Sequence, residues 1–133
     1  MRIKGRIVSK GIAKGEVILS KEPITFLGGV DPKTGVVIEK GHELEGKSVV
    51  GKILIFPTGK GSTVGSYVIY QMKKNGTAPV GIINSKAEQI VASGALISEI
   101  PMIHDLEVDA LDFFKEGEVV VINGDKGYVE TRR

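Results

Sequence analysis

The sequence predicts an α+β fold, a strand-rich barrel or sandwich with flanking helices, and three observations carry that class. First, Ile53-Leu54-Ile55-Phe56 is an unbroken apolar run closed by Pro57, the pattern of a strand buried on both faces. Second, both ends of the chain carry short alternating or β-branched segments separated by Gly and Asn-Gly turns. Third, helical periodicity is confined to the middle third. Together these give about eight to ten short strands and two or three helices. At 133 residues the chain is long enough for one domain, 1–133, with a core that needs no staples.

In chain order, residues 2–8 and 15–20 read as two hairpin-linked strands with Gly11 and Gly15 in the bend between them, so a regular βαβ wind is not expected. Phe26-Leu27-Gly28-Gly29-Val30-Asp31-Pro32 leads through Lys33-Thr34-Gly35 into Val36-Val37-Ile38. Asp-Pro followed by Gly is a turn signal, and Gly28-Gly29 suggests positive φ or close backbone approach. This stretch is either a loop that closes over a ligand, with Asp31 at its tip, or a glycine-rich surface loop capped by its own aspartate. His42, among Glu43 and Glu45, reads as a solvated loop residue. After the central strand and its helix, Pro79-Val80-Gly81-Ile82-Ile83 is a second buried strand. Ser85-Lys86-Ala87-Glu88 has capping-box spacing and opens a short helix ending at Gly94. Ala95–Ser98 and Pro101–His104 read as connecting strands, and Asp105 is placed to cap a turn of helix through Leu106, Ala110 and Leu111. Glu118–Ile122, Asn123–Gly127 and Tyr128–Glu130 form a terminal hairpin.

The segment with the most chemistry is Gly59-Lys60-Gly61-Ser62-Thr63-Val64-Gly65-Ser66-Tyr67. Val64, Tyr67, Val68 and Met72 recur at helical spacing, which predicts an amphipathic helix over 63–74. Lys73 and Lys74 fall in its last turn, and Asn75-Gly76 stops it. Ser62 and Thr63 then stand at the helix N-terminus, where free N–H groups and the positive end of the dipole favour an anion. Glycines on either side of Lys60 let the backbone approach a bound group. The alternative is an ordinary N-cap serine in a strand-to-helix turn. A P-loop is excluded, because Gly61 separates Lys60 from the hydroxyl residue.

Composition narrows the rest. The chain has no cysteine, so it can hold neither a disulfide nor an iron–sulfur cluster by itself. With only His42 and His104, a histidine-rich metal site is not expected. A net charge of +2 and 5% aromatic residues give no case for nucleic acid. No apolar stretch approaches membrane-spanning length, and the first residues do not read as a signal peptide, so a cytoplasmic location is the expectation.

Gly28-Gly29-Val30-Asp31-Pro32, the run from Phe56-Pro57 through Gly59–Tyr67, Asn75-Gly76 with Ala78-Pro79, and Ile100-Pro101-Met102 together resemble one family. This is the small subunit of the aconitase X group, in its archaeal branch, and the resemblance covers essentially the whole chain in order. It implies a swivelling β/β/α domain equivalent to the mobile domain of aconitase. It also implies a larger, cysteine-containing partner subunit that carries a 4Fe-4S cluster and most of the substrate pocket. The implied reaction is loss of water from the small phosphorylated hydroxy acid (R)-5-phosphomevalonate, giving trans-anhydromevalonate 5-phosphate in a mevalonate route to isoprenoids. By the same resemblance Ser62 is the proton-removing base; the reading of the residues themselves puts Gly28, Gly29, Asp31, Lys60, Gly61 and Thr63 on the substrate-binding side. Where aconitase follows its serine with an arginine-containing segment, this chain has Thr63-Val64-Gly65.

Three other readings stand beside this one. Sister enzymes of the group dehydrate cis-3-hydroxy-L-proline. Gly11-Ile12-Ala13-Lys14-Gly15 is faintly similar to a phosphocarrier swivelling domain, but neither histidine has the Gly/Thr/Ser-rich context of a phosphorylated nucleophile. The third is a non-catalytic scaffolding subunit, which point mutants in the complex would separate from a catalytic one.

Overall fold

Gly5 divides the N-terminal strand into two pieces with different partners. In the computed structural model, which describes residues 1–133, β1 (Arg2–Lys4) lies at one edge of an eight-stranded sheet and β2 (Arg6–Ser9) at the other. One residue joins the two edges, so the sheet curls round until its ends meet. A side chain at Gly5 would collide with Leu106 and Ile103, so the crossing requires glycine. Next come β3 (Ile12–Leu19), β4 (Ile24–Thr25), β5 (Ile53–Phe56), β6 (Gly59–Lys60) and α1 (Gly65–Asn75). They are followed by β7 (Gly81–Asn84), α2 (Gln89–Ile97), β8 (Met102–His104), α3 (Ala110–Phe113), β9 (Val119–Asn123) and β10 (Tyr128–Thr131). The order across the sheet is β1-β10-β9-β3-β5-β7-β8-β2, with β4 and β6 forming a separate two-stranded ladder.

β3 is the corner. Its first half, Ile12–Glu16, pairs antiparallel with β9, and its second half, Val17–Leu19, pairs parallel with β5. The curled sheet therefore has two faces that enclose one core: Ala13, Val17, Ile53, Ile55, Ile83, Ile103, Val120, Ile122 and Val129, plugged by Ala110 and Phe114 from the α3 segment. A second core lies on the outer side of the parallel strands. There Ile18, Leu54, Phe56, Ile82 and Met102 meet Val68, Ile69 and Met72 of α1, Val91 and Ala95 of α2, and Phe26, Val30, Val37, Leu44 and Val49 of the long connection. The result is three layers, β, β and α. Alternation sends Ile53 and Ile55 to one core and Leu54 and Phe56 to the other, which is why β5 reads as a solid apolar run.

Several expectations change. The N-terminal strands are not hairpin-linked: β2 pairs with β8, and β3 runs straight through Gly15 to reach β9 and β5. The middle third contains two βαβ crossovers, β5-α1-β7 and β7-α2-β8, all parallel. α2 continues past Gly94 to Ile97, so Ala95–Ile97 is helix and not strand. Gly94 is an inside residue, where Ile69 of α1 leaves no room for a Cβ. The cap of α2 is Glu88 itself, whose carboxylate accepts the N–H groups of Ile90 and Val91 at 2.8 and 2.7 Å, while Ser85 takes no part in capping. Asp109, not Asp105, caps α3 through Leu111 N–H at 3.0 Å. His42 is buried, not solvated: its Nδ1 accepts Leu44 N–H at 3.0 Å and its Nε2 donates to the Pro23 carbonyl at 2.9 Å.

At the carboxyl ends of the parallel strands, polar groups tie the crossovers down. Asn84 donates to the Phe56 carbonyl at 3.1 Å, and Lys86 N–H donates to the Pro57 carbonyl at 3.2 Å. His104 Nδ1 accepts Ala87 N–H at 2.9 Å, a bond that only the unprotonated nitrogen can make. Burial holds the His104 pKa below its ordinary 6.5; Lys86 and Arg6 add to that and Asp105 opposes it. Because the folded-state value is the lower one, this contribution to stability is complete above pH 6.5 and is lost as pH falls through the folded value. The expected result is that His104→Gln flattens the acid side of the stability profile below pH 6.5, measured by urea unfolding; curves that stay parallel would contradict it.

Candidate functional site

The loop after β5 is built from close approaches. β6 lies parallel to β4, pairing Gly59 with Ile24 and Lys60 with Thr25. Any side chain at Gly59 would strike Glu88 and Val91, so β6 rests directly on the start of α2. Gly61 has φ +91°, and a Cβ there would sit 2.7 Å from Thr25 Cγ2, so glycine is required on two counts. Gly65 faces Ile90, which lets α1 begin against α2.

These constraints leave Ser62 exposed at the carboxyl end of the parallel strands, the usual ligand edge of such sheets. Its Oγ accepts Val64 N–H at 3.1 Å and its carbonyl accepts Gly65 N–H at 3.0 Å, a serine turn leading into the helix. α1 starts at Gly65 with Val64 in the cap position and no side-chain cap, so Ser62 is not an N-cap. The N–H groups of Gly61, Ser62 and Thr63 donate to no acceptor within the chain. A hydroxyl, three consecutive free donors and the positive end of an 11-residue helix thus share one exposed turn.

Lys60 is on the same loop, with Nζ 3.7 Å from Oε2 of the half-buried Glu39, a solvent-accessible pair worth at most about 1 kcal/mol. Glu39 was not legible as a site residue. Nothing local marks it, and only the β4–β6 pairing brings residues 24–39 against 59–62. Thr25, which walls Gly61, was missed for the same reason.

Across the whole chain, the aconitase X swivel domain family matches residues 2–131. The chain belongs to that family. The phosphomevalonate dehydratase small subunit of Methanosarcina acetivorans is 58% identical over 98% of this chain and 90% of its own length. The protein of the same name from Thermococcus gammatolerans is 55% identical over 98% and 97%. Among solved structures, the holo-form of aconitase X from Thermococcus kodakaraensis superposes with a TM-score of 0.94 at 50% identity, covering 100% of this chain and 99% of that one.

Not every expected residue of this aconitase X swivel domain reaches the Ser62 turn. Gly28 and Gly29 lie on the loop beside it: Leu27 N is 3.7 Å from where a Gly65 Cβ would stand, and Glu39 Oε1 is 3.3 Å from the corresponding point on Gly29. Asp31 is held elsewhere. Its Oδ1 accepts Lys33 N–H at 2.9 Å, and the next carbonyl, Pro32, accepts from Asn75 and Thr77 at 2.9 and 2.7 Å. Those partners sit at the far end of α1, about 16 Å along its axis from Gly65. A cluster does not fit this chain's donors, since there is no cysteine and no group of three or more His, Asp or Glu side chains placed to hold a metal ion. No helix is long and apolar enough to cross a membrane.

Gly29 has a packing reason to be glycine, because a Cβ would overlap the Thr25 carbonyl. Gly28, with φ +81°, has open space around its Cα. Gly29→Ala should therefore cost at least about 2 kcal/mol of stability, whereas Gly28→Ala should cost about 1 kcal/mol through its positive φ. Equal melting temperatures for the two variants would contradict this placement.

Proposed function

We propose that the chain is the small subunit of a two-chain hydro-lyase that dehydrates (R)-5-phosphomevalonate to trans-anhydromevalonate 5-phosphate, and that Ser62 is its base. The observation that carries this reading is the Ser62 turn, an exposed hydroxyl among free N–H donors, in a chain 58% identical along nearly its whole length to a small subunit of that name. A cytoplasmic setting accords with this role. A 4Fe-4S cluster would be held by cysteines of the large subunit.

The reaction takes a proton from the carbon next to the carboxylate, while the hydroxyl departs from the neighbouring carbon as water. A neutral serine is a poor base, so the turn must favour its negative form. Val64 N–H already donates to Oγ, and the free N–H groups, the helix dipole and Lys60 add positive potential. Lys60, exposed and held only weakly by Glu39, is free to meet the substrate's phosphate or carboxylate. Gly61 and Thr63 offer backbone donors to the same group. Gly28, Gly29 and Asp31 complete the proposed substrate side, with Asp31 the most distant. A domain that swings closed over the partner would place Ser62 and shut out water.

Ser62→Asn keeps the turn, because asparagine makes the same side-chain-to-backbone bond. In the assembled enzyme it should retain wild-type melting and substrate binding yet lose about 10²- to 10⁴-fold in kcat. Wild-type turnover by this variant would refute the assignment. Lys60→Met should raise KM with kcat nearly kept, an effect that shrinks as salt rises; kinetics identical to wild type across a salt series would remove Lys60 from the site.

A further inference from the structure

Beside the Ser62 turn stands a carboxylate that the fold does not otherwise use. Glu39 is brought there by the β4–β6 ladder, and its N–H donates to the Gly29 carbonyl at 3.3 Å. Its Oε1 lies 3.3 Å from the point a Gly29 Cβ would occupy, so the carboxylate rests along the glycine loop. The Glu39 side chain is 31% exposed, and its oxygens accept no hydrogen bond within the chain. Glu118 shows the difference. At 19% exposed, it accepts Lys115 N–H at 2.7 Å, Thr131 Oγ1 at 3.1 Å and Arg133 at 3.0 Å. Glu118 belongs to the bonding of the fold, whereas Glu39 has Lys60 alone. At 3.7 Å that pair falls outside the contact of about 2.7–2.9 Å that a charge-assisted hydrogen bond makes.

A negative group next to an anion seat works against it. Lys60, the free N–H groups of Gly61, Ser62 and Thr63 and the start of α1 raise the positive potential, and Glu39 lowers it at the same place. An arriving anion must draw Lys60 from Glu39 and then sit near the carboxylate. That cost is useful when the product is as anionic as the substrate. Loss of water leaves the phosphate and the carboxylate in place, so contacts to them hold product as firmly as substrate and do not speed the chemical step. A resident negative charge keeps this uniform binding moderate and lets the product leave.

We propose that Glu39 is the resident counter-ion of this seat, a positioning residue that holds Lys60 back from free anions and so sets how tightly the Ser62 loop binds one. The inference rests on the anion seat of the reading above, and its test uses simple ions as well as turnover. Sulfate and formate are each titrated into the full chain, and binding is followed by NMR through the amide signals of Gly61, Ser62 and Thr63. Glu39→Gln keeps the shape of the side chain and removes its charge. It should bind formate about 3-fold and sulfate about 10-fold more tightly than wild type, because the repulsion relieved doubles with the charge of the ion. Both gains should shrink as salt rises. Glu39→Asp, which keeps the charge, should bind both ions within about 2-fold of wild type. In the assembled enzyme Glu39→Gln should lower KM and strengthen inhibition by sulfate. Weaker sulfate binding by Glu39→Gln would make Glu39 a prop for Lys60 and overturn the proposal. Equal gains for the two ions, or no amide response to either ion in Glu39→Gln, would overturn it as well. If the ions bind as expected but the assembled enzyme does not dehydrate phosphomevalonate, the substrate reading fails and the seat with its counter-ion stands.

Discussion

Burial of β5 on both faces is the constraint on which the rest depends. Ile53, Leu54, Ile55 and Phe56 are all shielded from solvent, and each buried side chain of this size contributes about 1.5–3 kcal/mol relative to exposure. A strand with apolar groups on both sides needs two cores, one against the curled sheet and one against the helices. The crossover helices supply one, because both return over the same face, and the curled antiparallel strands supply the other. Those crossovers bring the chain out at the carboxyl ends of β5, β7 and β8, and the first exit is the loop carrying Lys60, Gly61 and Ser62. The site is a consequence of how the central strand is covered.

What the core sets coarsely, glycine sets finely. Gly59 lets β6 lie on the Glu88 cap, Gly61 turns the chain at positive φ against Thr25, and Gly65 starts α1 against Ile90. Each position trades side-chain contact for approach, and the sum is a backbone turn with three unused donors. Rigid support beneath and open solvent above suit a surface that works when a second surface comes down on it. Leu27, Val64 and Tyr67 also keep a large part of their apolar surface in solvent beside that turn.

Features with a local cause were legible in the sequence. The Ile53–Phe56 run, the Gly76 helix stop (φ +75°) and the hairpin of β9 and β10 all fall where pattern put them. The Ser62 loop was legible too, because a strand end, paired glycines and a helix start adjoin in the chain. Features decided by distant partners were not. Gly15 looks like a bend, but its neighbours Val120, Gly51 and Ile53 come from elsewhere in the chain and keep β3 extended. Gly94 looks like a helix end until Ile69 is placed against it. His42 looks solvated because its acidic neighbours are, whereas its ring is held by the Pro23 carbonyl and Leu44 N–H. Asp31 shares a loop with Gly29, yet Asn75 and Thr77 fasten that part of the loop to the opposite end of α1. The Glu39–Lys60 pair spans two loops joined only by the β4–β6 ladder, which no local pattern announces.

The central claim is that Ser62 removes the proton, and its most direct test is positional. A structure of the two-chain complex with bound (R)-5-phosphomevalonate, or with an unreactive analogue of it, locates the reacting carbon relative to this chain. The account predicts Ser62 Oγ at about 3–3.5 Å from the carbon next to the carboxylate, with the free N–H groups of Gly61 and Thr63 directed at the same region. Ser62 facing solvent, or a side chain of the large subunit at that distance in its place, would contradict it.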